Sequence, residues 1–268
     1  MTISDPRYYQ LAVQASLLIW GINFLDFSAS LLDIALVLSA ALLLQFIFTK
    51  YYHLDFKPLS SINSSMSILL LLYASQPIWL LLAISLAIAS KFLIRYQQHH
   101  IFNPSNFGIV LVLLFSDQTW IASGQWGQSM WWGLLLLGFG LIFFMGFSRL
   151  LSSLSFLTVY AVLIMIRAMY LGDPWLIPLH QLQNGALLIF AFFMLSDPMT
   201  TPNSAIGRIL LGLLVAIIAW GLQFIYYIPN AFLYALALCS PLVILINKIT
   251  WGTQYQWPHT LIRRKLCE

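Results

Sequence analysis

Long apolar runs, separated by short polar or Pro/Gly punctuation, make up almost the whole chain, and this pattern decides what it can fold into. The runs fall near residues 9–25, 31–49, 62–75, 78–95, 104–117, 129–147, 152–170, 181–195, 205–222 and 231–247. A bilayer core is spanned by about 20 apolar residues of helix. The pattern therefore predicts an all-α integral membrane protein with about ten transmembrane helices. Charge agrees: only 7% of the 268 residues are Asp, Glu, Lys or Arg, against about a quarter in soluble domains. So few charges exclude a soluble enzyme and a nucleic-acid binder, and two cysteines exclude a disulfide scaffold and a cysteine-held metal or iron–sulfur site. The third and eighth runs are short for a full span. Each ends in a polar turn with proline, Ser75-Gln76-Pro77 and Ser196-Asp197-Pro198, which predicts broken or tilted helices.

The twelve basic residues orient the spans. With the N-terminus and every even-numbered connection on one side, that side holds Arg7, Lys50, Lys57, Lys91, Arg95, Arg149, Arg208, Lys248, Arg263, Arg264 and Lys265, and the other holds Arg167 alone. An eleven-to-one split follows the positive-inside pattern and predicts cytoplasmic N- and C-termini. Met1 to Gln10 carries Asp5 and Arg7 instead of a basic segment before a short apolar core, so no removable signal peptide is expected.

An internal repeat is the more informative feature. Asn63 and Asn184 precede the short helices, Ser75 and Ser196 follow them, and Pro77 and Pro198 end the turns; each pair is 121 apart (184 − 63, 196 − 75, 198 − 77). The same shift carries run 9–25 onto 130–146 and run 31–49 onto 152–170. Two five-helix halves follow, 1–122 and 123–268, the second ending in a cytoplasmic tail. Because five is odd, the second half enters the membrane from the opposite side, an inverted repeat whose working site belongs near the interface of the halves.

Acidic residues near the membrane are candidates for an ion pathway. Asp26, Asp33, Asp117 and Asp173 fall at extracytoplasmic span ends, where solvated loop carboxylates are the alternative, and Asp33 is the deepest. Lys91 and Arg95 share one helical face. They either hold a phosphate or lipid headgroup or act as snorkelling anchors, and Lys91 is the deeper. Two polar segments interrupt the apolar chain, Ile101 to Gly108 and Leu195 to Arg208. Their amides and hydroxyls offer donors and acceptors for a planar polar ligand, while helix capping alone accounts for Asn103 and could account for Asn203. The five histidines show no paired spacing for haem, and the Trp and Tyr residues at span ends read as an aromatic belt.

At these segments the chain resembles the NqrB/RnfD family, the membrane flavoprotein subunits of the sodium-pumping NADH:quinone reductase and of the Rnf electron-transport complex. The resemblance rests on Asn63 to Ser65, Pro77-Ile78-Trp79, Lys91, Phe102-Asn103-Pro104, the His180 to Gly185 stretch, Phe192 to Pro198, Thr201-Pro202 and Gly207-Arg208. It runs over roughly residues 9 to 250 and implies an inverted repeat of five-helix halves, in line with the shift of 121. It also implies flavin: FMN on a loop threonine after the fifth span, and a noncovalent riboflavin within the bundle. The corresponding loop, Asp117 to Trp126, has Ser123-Gly124 followed by Gln125-Trp126, with no acceptor threonine in place; Thr119 is its one threonine. The implied cofactor is thus a noncovalent flavin, riboflavin or FMN. Lys91, Asn103, Asn106, Ser196, Asp197, Thr200, Thr201 and Asn203 are its candidate ligands, and Asp33 is the candidate for an ion pathway.

No domain for NADH or an iron–sulfur cluster is expected from these apolar runs. Electrons would therefore pass between partner subunits or a quinone, with membrane lipid as the surrounding medium. Two other readings remain open: a transporter or channel built on the same repeat, and a membrane accessory of a biosynthetic cluster of the enediyne type.

Overall fold

A computed structural model describes residues 6–25, 27, 29–96, 99–121, 126 and 147–252. The sixth run (129–147, all but its last residue), Asp26, Ser123 to Gln125 and both chain ends lie outside the described residues. Five helices occupy the first half: α1 (Pro6–Phe24), α2 (Leu31–Tyr51), α3 (Pro58–Leu71), α4 (Pro77–Leu93) and α5 (Pro104–Phe115). After a short 3-10 turn, Phe147–Leu150, come α6 (Leu151–Leu171), α7 (Leu176–Leu182), α8 (Gly185–Ile189) running on into a π-helical turn (Phe190–Met194), α9 (Ala205–Phe224), α10 (Ala231–Cys239) and α11 (Leu242–Ile249). Strands among the described residues are few and short. β1 (Leu72–Ala74) pairs antiparallel with β4 (Thr119–Ile121), and β2 (Arg95–Tyr96) with β3 (His99–His100).

Among the described residues α2, α6 and α9 are each long and apolar enough to cross a bilayer, and two bent pairs, α7 with α8 and its π-turn (47°) and α10 with α11 (53°), raise the number to five. These helices are those of an integral membrane protein, and their exposed faces show it: Leu31, Leu32, Leu43, Phe46 and Ile47 of α2 and Val162, Ile166 and Met169 of α6 are at least half exposed. On α2 only Val37, Ala41, Gln45 and Thr49 are buried, one stripe at four-residue spacing. That stripe turns from apolar to polar toward the helix end. On α6 the stripe is Ser152, Phe156, Tyr160, Ile164 and Ala168. By contrast α3 from Asn63 onward and the whole of Gly185–Met194 are buried on every side, which makes them the two central helices.

Close backbone approach sets two of the crossings. A Cβ on Gly108 of α5 would lie 2.2 Å from the Ala83 carbonyl oxygen of α4. On Gly212 of α9 it would lie 2.4 Å from the Ser152 carbonyl oxygen of α6. Contacts this short admit only glycine.

Some boundaries differ from the sequence expectation. The third helix begins at Pro58, in the first helical position that proline favours, and stops at Leu71, where the chain becomes strand β1. Asn63 therefore lies inside α3 rather than before it, whereas Asn184 does cap α8, its side chain accepting from the Ala186 and Leu187 amides. The tenth run, expected to be continuous, breaks at Ser240-Pro241. The shift of 121 takes Leu31–Tyr51 to 152–172 (31 + 121, 51 + 121), one residue from α6. Beyond Pro198 it fails: Pro77 maps to 198, yet α9 starts at Ala205, because the turn before it is seven residues longer (205 − 198). Arg167 pairs with Asp173 at 3.9 Å and lies 4.4 Å from the Phe224 ring centre.

Candidate functional site

The polar turn between the π-helical turn and α9 is the centre of the site. Proline at 198 and 202 bars helix there, and the side chains close the turn locally. Asp197 Oδ1 accepts from the Met199 amide at 3.0 Å, Thr200 Oγ1 donates to the Asp197 carbonyl at 3.3 Å, and the Ser196 hydroxyl bonds back to the Phe192 carbonyl. Ser204, and not Asn203, caps α9, accepting from the Gly207 amide at 2.9 Å. Arg208 then clamps the turn from the first coil of α9. Its Nε donates to the Pro202 carbonyl at 3.0 Å, Nη2 to the Asn203 carbonyl at 2.6 Å and Nη1 to the Ser148 carbonyl at 2.8 Å.

Asn103, at the start of α5, joins this turn to the first five helices, and Asn106 joins α5 to α10. Asn103 Oδ1 caps α5 through the Asn106 amide at 3.1 Å, as expected, and its Nδ2 reaches the Met194 carbonyl and Asp197 Oδ2, each at 3.3 Å. Asn106 Nδ2 donates to the Leu233 carbonyl of α10 at 3.1 Å.

Two cavities flank the turn, sharing His100 and Met199 in their walls. The larger, about 320 Å³, opens among the ends of α1 to α5; Gln10, Gln45, Thr49, Lys91, Asn103 and Asp197 supply polar groups, and Phe92 and Phe193 apolar ones. The smaller, about 220 Å³, lies against α10 and α11; Tyr96, Ile101, Val243 and Ile244 give it apolar walls, and Thr200, Thr201, Asn203 and Asn247 polar ones. Lys91, Asn103 and Asp197 thus meet in the first cavity and Thr200, Thr201 and Asn203 in the second, while Ser196 and Asn106 line neither. Lys91 is 4% exposed and donates to Gln45 Oε1 at 3.2 Å, so it does not snorkel; Arg95, one turn on, is exposed as an anchor would be.

Asp33 stands apart. It completes a capping box at the start of α2: its Oδ2 accepts from the Ser30 amide at 3.0 Å and hydroxyl at 2.7 Å, and its own amide donates to Ser30 Oγ. It lines a third, small cavity beneath Leu69 to Ala74. Twelve residues of helix separate it from Gln45, about 18 Å at 1.5 Å per residue. Thr119, the threonine of the loop after α5, is buried in β4 with its hydroxyl shared between the Val112 and Ser116 carbonyls, each at 3.4 Å.

Arg208, the end of the polar segment read from the sequence, belongs to the site, and so do Gln10, Gln45, Arg7 and Asn247, which polar density in the sequence does not single out. Gln45 and Thr49 carried a usable signal, being the polar members of a stripe otherwise made of Val37 and Ala41.

Long apolar helices around polar cavities define an integral membrane protein. Residues 111–256 match the NQR2, RnfD, RnfE family, and the chain belongs to that family. Its relatives are subunits of ion-translocating oxidoreductase complexes. The one from Psychromonas ingrahamii is 32% identical over 151 residues, 55% of this chain and 42% of that protein. The one from Cronobacter sakazakii is 32% identical over 96 residues, 36% of this chain and 27% of that protein. The one from Shewanella pealeana is 38% identical over 69 residues, 25% and 20% respectively. These matches span less than half the length of each relative.

Proposed function

We propose that this protein is a membrane-embedded electron-transport subunit of the RnfD/NqrB type, holding a noncovalent flavin, riboflavin or FMN, between two inverted five-helix halves. The observation that carries this reading is the Asp197 to Asn203 turn, fastened to Asn103 of the first half and flanked by two cavities. The residues suit the group. Thr201 Oγ1 and Asn203 Oδ1 are buried without a hydrogen-bond partner among the described residues, a donor–acceptor and an acceptor beside the second cavity. A flavin ring edge carries N–H and carbonyl groups that match them, and Tyr96, Val243 and Ile244 supply flat apolar walls. Bound there, flavin would supply one- and two-electron chemistry, with the protein providing position and electrostatics.

Each side chain has a definite task in this arrangement. Asn103 orients Asp197 and holds the halves together, Arg208 fixes the carbonyls of Pro202 and Asn203, and the buried flanks of α3 and α8 exclude water. With the termini cytoplasmic, the site lies toward the cytoplasmic face. Electron donor and acceptor are then partner subunits of an ion-translocating oxidoreductase complex, or a quinone. Ion passage at Asp33 would require the carboxylate to leave its capping box.

The test is to purify the protein in detergent and record its spectrum. Bound flavin gives absorbance near ~450 nm, a property of the oxidised cofactor. About one flavin per chain, released by denaturation and halved or worse in Thr201→Val, is the expected result. A colourless protein that takes up solute in proteoliposomes would replace this reading with a transporter.

A further inference from the structure

We propose that the larger cavity is a phosphoryl-binding site, a role separate from the ring site beside Thr201 and independent of whether flavin is bound. Four cationic side chains line it, Arg7, Lys57, Lys91 and Arg95, against two carboxylates, Asp55 and Asp197, leaving a net charge of +2 (4 − 2). Two of the cations are buried deeply enough to act as ligands rather than as solvated anchors: Lys91 is 4% and Arg7 8% exposed.

Lys91 is the decisive group. An ammonium has three N–H donors, and Lys91 gives one to Gln45 Oε1 at 3.2 Å, its one hydrogen bond among the described residues. A buried cation without a full set of acceptors is costly. Its remaining donors sit on the cavity wall, where a phosphoryl oxygen would satisfy them. The helix ends balance: α1, α3 and α5 start at this end, and α2, α4 and the π-helical turn finish there, so the preference for an anion rests on the side chains. Free phosphate or a phosphate monoester, at about −1.5 to −2 at neutral pH, matches the lining, and a phosphodiester headgroup, at about −1, satisfies it in part. The Ser60 hydroxyl and the second amide hydrogen of Asn63, whose first goes to Gln10, offer further donors around it.

The same phosphoryl chemistry could come from three sources: the phosphate of FMN, the headgroup of an anionic phospholipid, or free inorganic phosphate. The protein purified in maltoside detergent without phosphate buffer would be analysed for phosphorus per chain, and the extract separated by chromatography and mass spectrometry into FMN, phospholipid and inorganic phosphate. The expected result is about one phosphorus per chain, whichever source carries it, lost in Lys91→Met. Stripped protein would then be titrated with inorganic phosphate, FMN and phosphatidylglycerol nanodiscs. Loss of a charge-assisted hydrogen bond predicts weaker binding by about 10- to 100-fold in Lys91→Met. The exposed Lys57→Gln, which leaves packing untouched, is expected to weaken it about threefold through charge alone. It keeps the test open if the Lys91 variant does not fold. Phosphorus retained at the wild-type level in a folded Lys91→Met, or no phosphorus and no saturable response to any of the three probes, would overturn the proposal. Riboflavin with no phosphorus overturns it while sparing the flavin reading. Phosphorus without flavin does the reverse.

Discussion

Replacing Arg208 with methionine tests how far one side chain holds the polar turn. The guanidinium is 4% exposed and donates to three backbone carbonyls, those of Pro202, Asn203 and Ser148, at 3.0, 2.6 and 2.8 Å. A hydrogen bond from a charged donor is worth about 1.5–3 kcal/mol. Three in sum would overstate the loss, because burying the charge has its own cost and Met regains apolar packing. A net destabilisation of about 2–4 kcal/mol follows. It should appear as a melting temperature lower by roughly 5–15 °C in detergent, at about 2–4 °C per kcal/mol for a chain of this size. Arg208→Lys sharpens the test: a lysine keeps the charge yet presents no planar fork, so it cannot bridge Pro202, Asn203 and Ser148 together. It should recover less than half of the loss. The assay is thermal unfolding followed by tryptophan fluorescence, with flavin retention measured on the same samples. A fall of less than about 2 °C for Arg208→Met, or full recovery by Arg208→Lys, would refute the clamp.

Further expectations follow from the helix packing and caps. Gly212→Ala places a Cβ 2.4 Å from the Ser152 carbonyl and should cost about 1–3 kcal/mol, while Gly221→Ala on the same helix, with nothing within 4 Å, should be neutral or stabilising by about 0.4–1 kcal/mol; equal effects would sink the close-crossing argument. Ser30→Ala and Asp33→Ala should each cost about 0.5–2 kcal/mol but together little more than one alone, since they form one capping box; a double-mutant cycle with additive losses would show otherwise. Gln45→Leu strips Lys91 of its acceptor and should destabilise by about 1–3 kcal/mol, an effect that Lys91→Met in the same chain should largely relieve.

Much of the helical layout was legible because lipid forces a simple code: apolar length gives helix, and proline and polar residues give breaks. Pro58, Pro77 and Pro104 each open a helix as the proline rule predicts. The break at Ser240-Pro241 was hidden because a single proline inside a long apolar run can also be accommodated by a kink, and only the 53° bend shows that the helix stops. Capping by Asn103 is legible in the sequence, yet its Nδ2 bonds to Met194 and Asp197 join residues 91 and 94 positions away, a contact to which local propensity carries no signal.

The site was harder to read for a related reason. The local density of polar residues selects the turn from Ser196 to Asn203 and passes over Gln45. Yet Gln45 is a polar residue on a mostly apolar helix, and its burial is offset by the cavity it lines and by the Lys91 ammonium it accepts from. In a membrane an isolated polar side chain on an inward stripe is more informative than a cluster at a helix end, because the cluster is explained by caps and turns while the isolated group must have a partner. By that rule the stripe Val37, Ala41, Gln45, Thr49 points along α2 into the cationic cavity, and the partner of Gln45 is the residue whose remaining donors define what the cavity binds.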